Sequence, residues 1–308
     1  MSRARPLTER KPDCVEPGQG TEHHPRGLAM LPRTVFVPAS AGLAVADLDG
    51  AIASATRIGA HVRIAAFAWS PPLPVATPYD MGGFNEPLWS AEVRKTHERV
   101  QHHAATVRRA LEAADASGAV DTSLVEHAQL DALVGMHAAF SDVTMVPAGL
   151  RDEARRRVVN GGLFLSAAPV VLLGDDALDL GNLERVVIGW DGGIEAGAAA
   201  RAVLPWLRAE TEVELLLVDP VADTGAFGAE PGAQAAEWLA RHGASVAVRR
   251  LPCEGRSVAR VIQQRASDWN ADLIAVGGYG HSRLRERVFG GTTRSMVEEG
   301  DRPVLLAR

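Results

Sequence analysis

The chain has 308 residues, which predicts two domains of about 150 residues each, and its 46% hydrophobic and 23% charged residues exclude a disordered, collagen-like or coiled-coil protein. A net charge of −6 argues against nucleic-acid binding, and the lack of an apolar run of about 18 residues argues against a membrane partner. Residues 1–31 have no secretory-signal pattern, and Cys14 and Cys253 cannot form a disulfide framework, so we expect a cytoplasmic protein.

The two halves of the chain repeat each other. Residues 35–40 resemble residues 186–191 at an offset of 151, and residues 169–173 resemble residues 303–307 at an offset of 134. Each half alternates short apolar runs with longer amphipathic stretches, which is typical of a parallel sheet covered by helices on both faces. We therefore predict an α/β protein with two tandem Rossmann-like domains.

Apolar runs and helical periodicity place the predicted elements in chain order. The first half has predicted strands at 33–38, 61–67, 121–126, 142–147 and 169–173, and predicted helices at 44–59, 90–117, 130–139 and 151–165. The second half has predicted strands at 185–190, 213–218, 245–250, 272–277 and 303–307, and predicted helices at 194–209, 231–243, 257–270 and 291–299.

Composition also predicts the domain boundaries. Residues 1–31 are polar and rich in Pro and Gly, so we expect a disordered tail, and translation from either Met1 or Met30 remains open. The domains are predicted at 32–174 and 183–308, joined by a linker at 175–182. The proline-rich stretch 70–89 is predicted to be a long loop without helix, either a lid, a partner contact or a passive excursion.

A glycine-rich loop follows the fourth strand of the second half. It begins Gly277-Gly278-Tyr279-Gly280 and ends Gly290-Gly291-Thr292-Thr293. A helix start has unpaired N–H groups and partial positive charge, so this loop is a candidate phosphate site. Because Lys11 and Lys95 are the only lysines, a Walker-type loop is excluded, and amides, hydroxyls or arginines must bind the phosphates. The candidate arginines are Arg283, Arg285, Arg287 and Arg294. Glycines that only form the turn are the alternative.

Asp191 follows the first strand of the second half. Ligands of open parallel sheets bind beyond the carboxyl ends of the strands, where the strand order reverses. Asp191 is therefore expected near the glycine-rich loop and within reach of a nucleoside. The alternative is that Asp191, followed by Gly192-Gly193, only caps the next helix.

The spacing Gly277-x2-Gly280-x9-Gly290 is similar to the signature Gly-x2-Gly-x9-Gly-Ser/Thr of the universal stress protein family. Residues 187–192 resemble the family's first strand with its terminal Asp, and residues 302–306 resemble its closing strand. Together these motifs span nearly all of 183–308, whereas the first half resembles the family more weakly. The whole chain resembles a tandem, two-domain universal stress protein of bacterial type.

This resemblance implies a five-stranded parallel sheet of order 3-2-1-4-5 in each domain, and ATP as the ligand, with accompanying Mg²⁺ left open. The nucleotide-binding residues that it implies are Asp191, Val218, Val276 and Gly277 around the adenosine, and Gly280, Gly290, Gly291, Thr292 and Thr293 around the phosphates. No catalytic residue and no protein-held metal are predicted.

Two departures from the family pattern concern the site. Gly291 stands where the family has Ser or Thr, and the loss of one hydrogen bond to a charged group weakens binding by about 10–100-fold unless Thr292 replaces it. In the first half, Ser40 stands at the position of Asp191, and residues 151–158 predict a helix where the second half has its loop. No phosphate site is therefore expected in the first half.

Three functions follow from these residues. The first is a stress-response regulatory protein that binds ATP in its second domain, with at most slow hydrolysis. The second is a stress-response scaffold whose glycine loop is purely structural. An ATP-pyrophosphatase ranks last, because that class needs Ser-Gly-Gly-x-Asp-Ser after its first strand, and here Asp191-Gly192-Gly193 is followed by Ile194.

The fifth strands of the two halves are apolar edge strands that need cover. We expect residues 170–173 and 304–306 to face each other within the chain, which would make the protein an internal pseudo-dimer. A further homodimer is left open.

Overall fold

The computed structural model of the chain describes residues 31–73, 86–174, 177–220, 230–279, 291–300 and 302–308. The first half contains β1 (Thr34–Ser40), α1 (Asp49–Arg57), β2 (His61–Trp69), α2 (Glu86–Ala113), β3 (Gly118–Val125), α3 (Leu130–Ala138), β4 (Val143–Val146), α4 (Asp152–Leu165) and β5 (Val170–Leu172). The second half contains β6 (Arg185–Gly189), α5 (Ile194–Val203), β7 (Glu212–Val218), α6 (Ala233–Arg241), β8 (Ser245–Leu251), α7 (Val258–Asp268), β9 (Leu273–Gly277), α8 (Gly291–Glu299) and β10 (Val304–Ala307).

All ten strands lie in one sheet, in the order β3-β2-β1-β4-β5-β10-β9-β6-β7-β8. Within each half the order is the predicted 3-2-1-4-5, and every pairing within a half is parallel. The α/β fold predicted from the sequence is confirmed. The two sheets are not separate, however, because their fifth strands pair with each other.

The junction between the halves is the antiparallel pair β5–β10. The contact expected between the fifth strands of the two halves is present. Its pairs are Leu172 with Val304, Val171 with Leu305, and Val170 with Leu306. These residues are almost completely buried. Pairing satisfies the backbone groups of two edges that would otherwise face water or another chain.

Alternating strand residues pack on opposite faces of the sheet. Val35 and Val37 belong to one apolar core, whereas Phe36 between them belongs to the other. The same alternation separates Val186 from Val187 in the second half. Strands with both faces buried have near-continuous apolar sequences, which explains why their positions were predictable.

Prolines account for two corrections to the predicted elements. The stretch 70–89 was predicted to lack helix, but α2 begins at Glu86 and includes Pro87. Proline is tolerated there because N–H groups of a first helical turn have no intrahelical partner. The helix predicted at 194–209 is shorter in the structure. It ends as α5 at Val203, and Pro205 follows within a 3-10 turn. The start of the first predicted helix is also a 3-10 turn, Val45–Leu48.

Several predictions fall on residues outside the described ranges, namely most of the tail (1–30), the middle of the proline-rich stretch (74–85) and residues 175–176 of the linker. Of the helices in the described ranges, none combines the length and the apolar character needed to cross a membrane.

Candidate functional site

A cleft of about 230 Å³ opens at the carboxyl ends of β6, β7 and β9, where the strand order of the second half reverses. Its lining comes from these strands and from the starts of three helices. The lining residues are Gly189, Trp190, Asp191, Glu195, Ala196, Leu216, Val218, Val258, Ile262, Val276, Gly277, Gly291, Thr292 and Thr293.

Seven of the nine residues predicted to bind nucleotide line this cleft. They are Asp191, Val218, Val276, Gly277, Gly291, Thr292 and Thr293. The other two, Gly280 and Gly290, lie outside the described residues. Parallel strands whose carboxyl ends meet at one edge bring together residues that are about 100 positions apart in the chain.

One wall of the cleft is apolar and was only partly predicted. Val218 and Val276 were expected there, but Val258 and Ile262 of α7 were not. Because Val258 and Ile262 are four residues apart, they lie on one helix face, and this spacing was a usable signal. Trp190, which also lines the cleft, directly follows β6. The wall provides an apolar surface for a planar heterocycle.

Asp191 is engaged with the start of α5. Its Oδ1 accepts a hydrogen bond of 2.8 Å from the backbone N–H of Gly193, the residue before the helix. This bond closes a turn just before α5, whose N-cap residue is Gly193, so the helix-cap role that the sequence left open for Asp191 is not observed. Asp191 also lines the cleft, so the turn that it forms before α5 faces the cleft.

Gly277 is required by packing as well as by access to the cleft. A Cβ at this position would lie 2.6 Å from the carbonyl carbon of Glu195 and 2.7 Å from the backbone nitrogen of Ala196. Real Cβ atoms do not approach backbone so closely. The glycine thus allows α5 to start directly against the end of β9.

The start of α8 forms the remaining wall. Thr293 is 4% exposed, and its Oγ1 accepts a hydrogen bond of 3.1 Å from the backbone N–H of Tyr279. Thr292 is half-buried and lines the cleft beside it. Gly291 is exposed, and a Cβ there would meet no atom within 4 Å. The amide groups of a helix start suit an anion.

The charged groups of the lining are carboxylates. Among the described lining residues, Asp191 and Glu195 are the only ionisable side chains. Arg294, which was expected to help neutralise phosphates, donates instead to Glu298 one turn along α8. The other expected groups, Arg283, Arg285 and Arg287, lie outside the described residues. No group of three or more His, Cys, Asp or Glu suited to a metal occurs within the described ranges.

A second cavity of about 310 Å³ adjoins the cleft. The two share Trp190, Asp191 and Val218, and the second extends to Asp219 and Gly232 before α6. The two cavities therefore meet at the ends of β6 and β7. Binding sites for small molecules have volumes of about 300–1,000 Å³, so this region has the dimensions of such a site.

The corresponding region of the first half is filled by side chains. At the offset of 151, Phe67 takes the position of Val218, and Phe67 is fully buried. Helices α3 and α4 approach closely through Gly135 and Gly161, where a Cβ would lie 2.4 Å from Leu165 and Asp131 respectively. As predicted, a helix begins soon after β4, at Asp152.

Comparisons with known proteins agree with this fold. Residues 182–308 match the sequence profile described as the Universal stress protein family. A comparison with curated proteins gave no match. A universal stress protein from Archaeoglobus fulgidus DSM 4304 is similar in structure, with a TM-score of 0.60 at 15% identity over 90% of this chain and 98% of the other.

Two Pseudomonas aeruginosa proteins are also similar in structure. A functionally unknown protein from strain PAO1 has a TM-score of 0.51 at 11% identity over 90% of this chain and 92% of its own. A protein from strain UCBPP-PA14, provisionally assigned as a universal stress protein, has a TM-score of 0.51 at 14% identity over 90% and 93%.

The fold and the cleft define a Rossmann-like α/β protein built of two tandem units. The second unit, residues 182–308, belongs to the universal stress protein family, as its motifs predicted. The similarity to the Archaeoglobus protein covers both units and shows that the first has the same fold.

Proposed function

We propose that the chain is a stress-response regulatory protein that binds ATP in the cleft of its second half, with little or no hydrolysis. The observation that carries this proposal is the convergence of seven predicted nucleotide-binding residues on one cleft at the strand-order reversal. Membership of residues 182–308 in the universal stress protein family supports the stress-response role.

The chemistry of the cleft fits the two ends of the ligand. The apolar wall of Val218, Val276 and Ile262 suits the adenine ring, and Asp191 at the end of β6 lies where the ribose is expected. The amides at the start of α8 and the Thr292 hydroxyl suit the phosphates. Mg²⁺ would arrive with the nucleotide, since it is usually bound through phosphates and waters.

The described lining supports the part of the proposal that expects little or no hydrolysis. An efficient hydrolase needs a base or a metal-bound water aimed at the γ-phosphate. Of the two carboxylates present, Asp191 accepts the Gly193 amide, and Glu195 lies in the first turn of α5. We therefore expect the bound nucleotide to act as an effector.

Isothermal titration calorimetry of the full chain with ATP and Mg²⁺ tests the proposal. We expect a dissociation constant below 1 mM, which corresponds to about 4 kcal/mol of binding free energy. Val218→Phe copies the residue that fills the first half and should abolish binding. Val248→Phe, on exposed strand β8, is the matched control and should bind normally. An undetectable signal up to several millimolar ATP would overturn the proposal.

The scaffold function is the second candidate, and specific contacts favour it. Asp191 accepts the Gly193 amide before α5, Gly277 allows the packing of α5, and Thr293 accepts from Tyr279, so three site residues have structural roles. A scaffold predicts that the Val218→Phe variant and the wild type behave alike in every nucleotide assay. Mass spectrometry of small molecules released from the denatured protein separates the two candidates.

A further inference from the structure

Helix α4 of the first half contacts the residues that directly follow β9 in the second half. The Tyr279 hydroxyl donates a hydrogen bond to Oδ1 of Asn160. The Tyr279 ring packs edge-on against Phe164, with ring centroids 4.6 Å apart. A Cβ on Gly278 would lie 3.0 Å from Cδ1 of Leu163, so α4 is close along this whole segment.

Tyr279 connects α4 to the cleft wall. Its φ of 66° is in the left-handed region, which is uncommon for a bulky residue and needs support from its surroundings. The backbone N–H is bound by Thr293, a cleft residue, and the side chain is bound by Asn160. Burial, with the negative charge of Asp131, raises the pKa of Tyr279, so the phenol stays protonated and keeps donating.

Arg155 of α4 binds the opposite end of α8. Its Nε donates a hydrogen bond of 2.8 Å to the carbonyl oxygen of Val297, in the last turn of that helix. Its Nη1 lies 3.4 Å from the carbonyls of Pro147 and Leu150 in its own half. Burial, with nearby Arg151, lowers the pKa of Arg155 to about 10, so the charge persists at neutral pH.

A buried cation is favourable at this position because the last carbonyls of a helix lack intrahelical partners and carry partial negative charge. The hydrogen-bond partners of Arg155 are the carbonyl groups of Val297, Pro147 and Leu150. Half-exposed Arg156 adds an ion pair of 3.6 Å to Glu298, which contributes little. The first half thus orients α8, whose other end lines the cleft.

We infer that α4 of the first half positions the α8 side of the cleft, so that the first half sets the nucleotide affinity of the second. Asn160 and Arg155 are the positioning residues. This inference rests on the proposed function, since it assumes that the cleft binds ATP. Because coupling between two sites is reciprocal, ATP in the cleft must also stabilise the contacts that α4 makes.

The test uses the full chain and measures ATP affinity by calorimetry. Asn160→Leu and Tyr279→Phe remove the same hydrogen bond from its two sides and should each weaken binding about five-fold or more, without adding in the double variant. Arg155→Met should weaken binding similarly. Arg157→Met is the matched control, because its partners Glu153 and Asp131 are both in the first half. Its affinity should equal that of the wild type even if its stability falls.

Hydrogen–deuterium exchange distinguishes a positioning role of Asn160 from a purely structural one, because only a positioning role makes exchange in α4 depend on ATP. ATP should slow amide exchange in residues 152–165 of the wild type, and this ligand-dependent difference should disappear in Asn160→Leu. If the wild type binds ATP while Asn160→Leu and Tyr279→Phe keep its affinity, the inference is wrong and the proposed function stands. If the wild type binds no ATP, both are overturned.

Discussion

Gly277 and Glu195 approach so closely that one additional carbon atom does not fit between them. A Cβ on Gly277 would lie 2.6 Å from the Glu195 carbonyl carbon, where β9 ends and α5 begins. This approach holds the start of α5 against the end of β9, and both residues line the cleft. Overpacking of a rigid contact typically costs about 1–3 kcal/mol.

Gly277→Ala should therefore lower the free energy of unfolding by about 2 kcal/mol. The obstacle is backbone, which cannot rotate away as a side chain can. Urea denaturation monitored by fluorescence measures the change. Gly291→Ala is the control, since a Cβ at that position meets nothing within 4 Å and should leave stability almost unchanged. Equal stability of the two variants would contradict the prediction.

Gly291→Ser should tighten ATP binding by about 10-fold. The change restores the hydroxyl that the family signature has at this position, and a hydrogen bond to a charged group contributes about 1.5–3 kcal/mol. The added side chain has room at the start of α8. Calorimetry with Gly291→Ala as the control separates the hydroxyl from the extra carbon. A purely structural glycine loop predicts no gain for either variant.

Leu305→Ala should destabilise both halves together. Leu305 is fully buried and pairs with Val171 across the β5–β10 junction, so truncation leaves a cavity that costs about 2–5 kcal/mol. The comparison is Leu88→Ala, at an exposed site on α2, which should change the unfolding free energy by less than about 0.5 kcal/mol. Unfolding in urea measures both. A small loss at Leu305 would show that the junction contributes little to stability.

Arg265→Met should cost about 3 kcal/mol, whereas Arg249→Met should cost less than about 1 kcal/mol. Both residues pair with Glu214, which is 2% exposed. Arg265 donates two bonds, of 2.7 and 2.6 Å, but half-exposed Arg249 donates one of 3.3 Å. Removing Arg265 leaves a buried carboxylate with one weak partner. Thermal unfolding of the two variants checks the order, and the reverse order would contradict it.

Acid should destabilise the protein through His103. Burial, with the neighbouring His102, lowers the pKa of His103 below its ordinary value of 6.5, and its Nε2 has no hydrogen-bond partner among the described residues. The unfolded chain then binds the proton more readily than the folded chain. The stabilisation is complete above pH 6.5 and is lost as the pH falls toward the folded-state pKa.

Urea midpoints at pH 7.5 and pH 5.5 measure this dependence. The wild type should lose stability at the lower pH, and His103→Gln should lose less of it. His137 is buried beside Arg63, and its pKa is also lowered, chiefly by burial. His103→Gln should therefore reduce the pH dependence without removing it. A dependence unchanged by this variant would assign the effect to other groups.

The elements and most of the cleft were predictable because their signals are local. Central strands buried on both faces require apolar runs. All ten predicted strands overlap the observed ones, including the more exposed edge strands β3 and β8. The strand order reverses between β6 and β9. Asp191, which follows β6, and Gly277, which ends β9, therefore lie together at the carboxyl ends of the strands. Two of the boundaries that failed lie at Pro87 and Pro205, where the effect of a proline depends on its position within the helical turn.

The sequence by itself determined the fold class, the repeat and the family of residues 182–308, because periodicity and motif spacing are properties of adjacent residues. Only the tertiary structure decided that Asn160 binds Tyr279, and that Arg155 binds the end of α8. These partners lie more than 100 positions apart in the chain. No periodic pattern in the sequence predicts which side chain of α4 contacts which group of the second half. Those contacts form because the two halves pack against each other. No phosphate site is predicted in the first half, but through these contacts it is directly connected to the cleft of the second half.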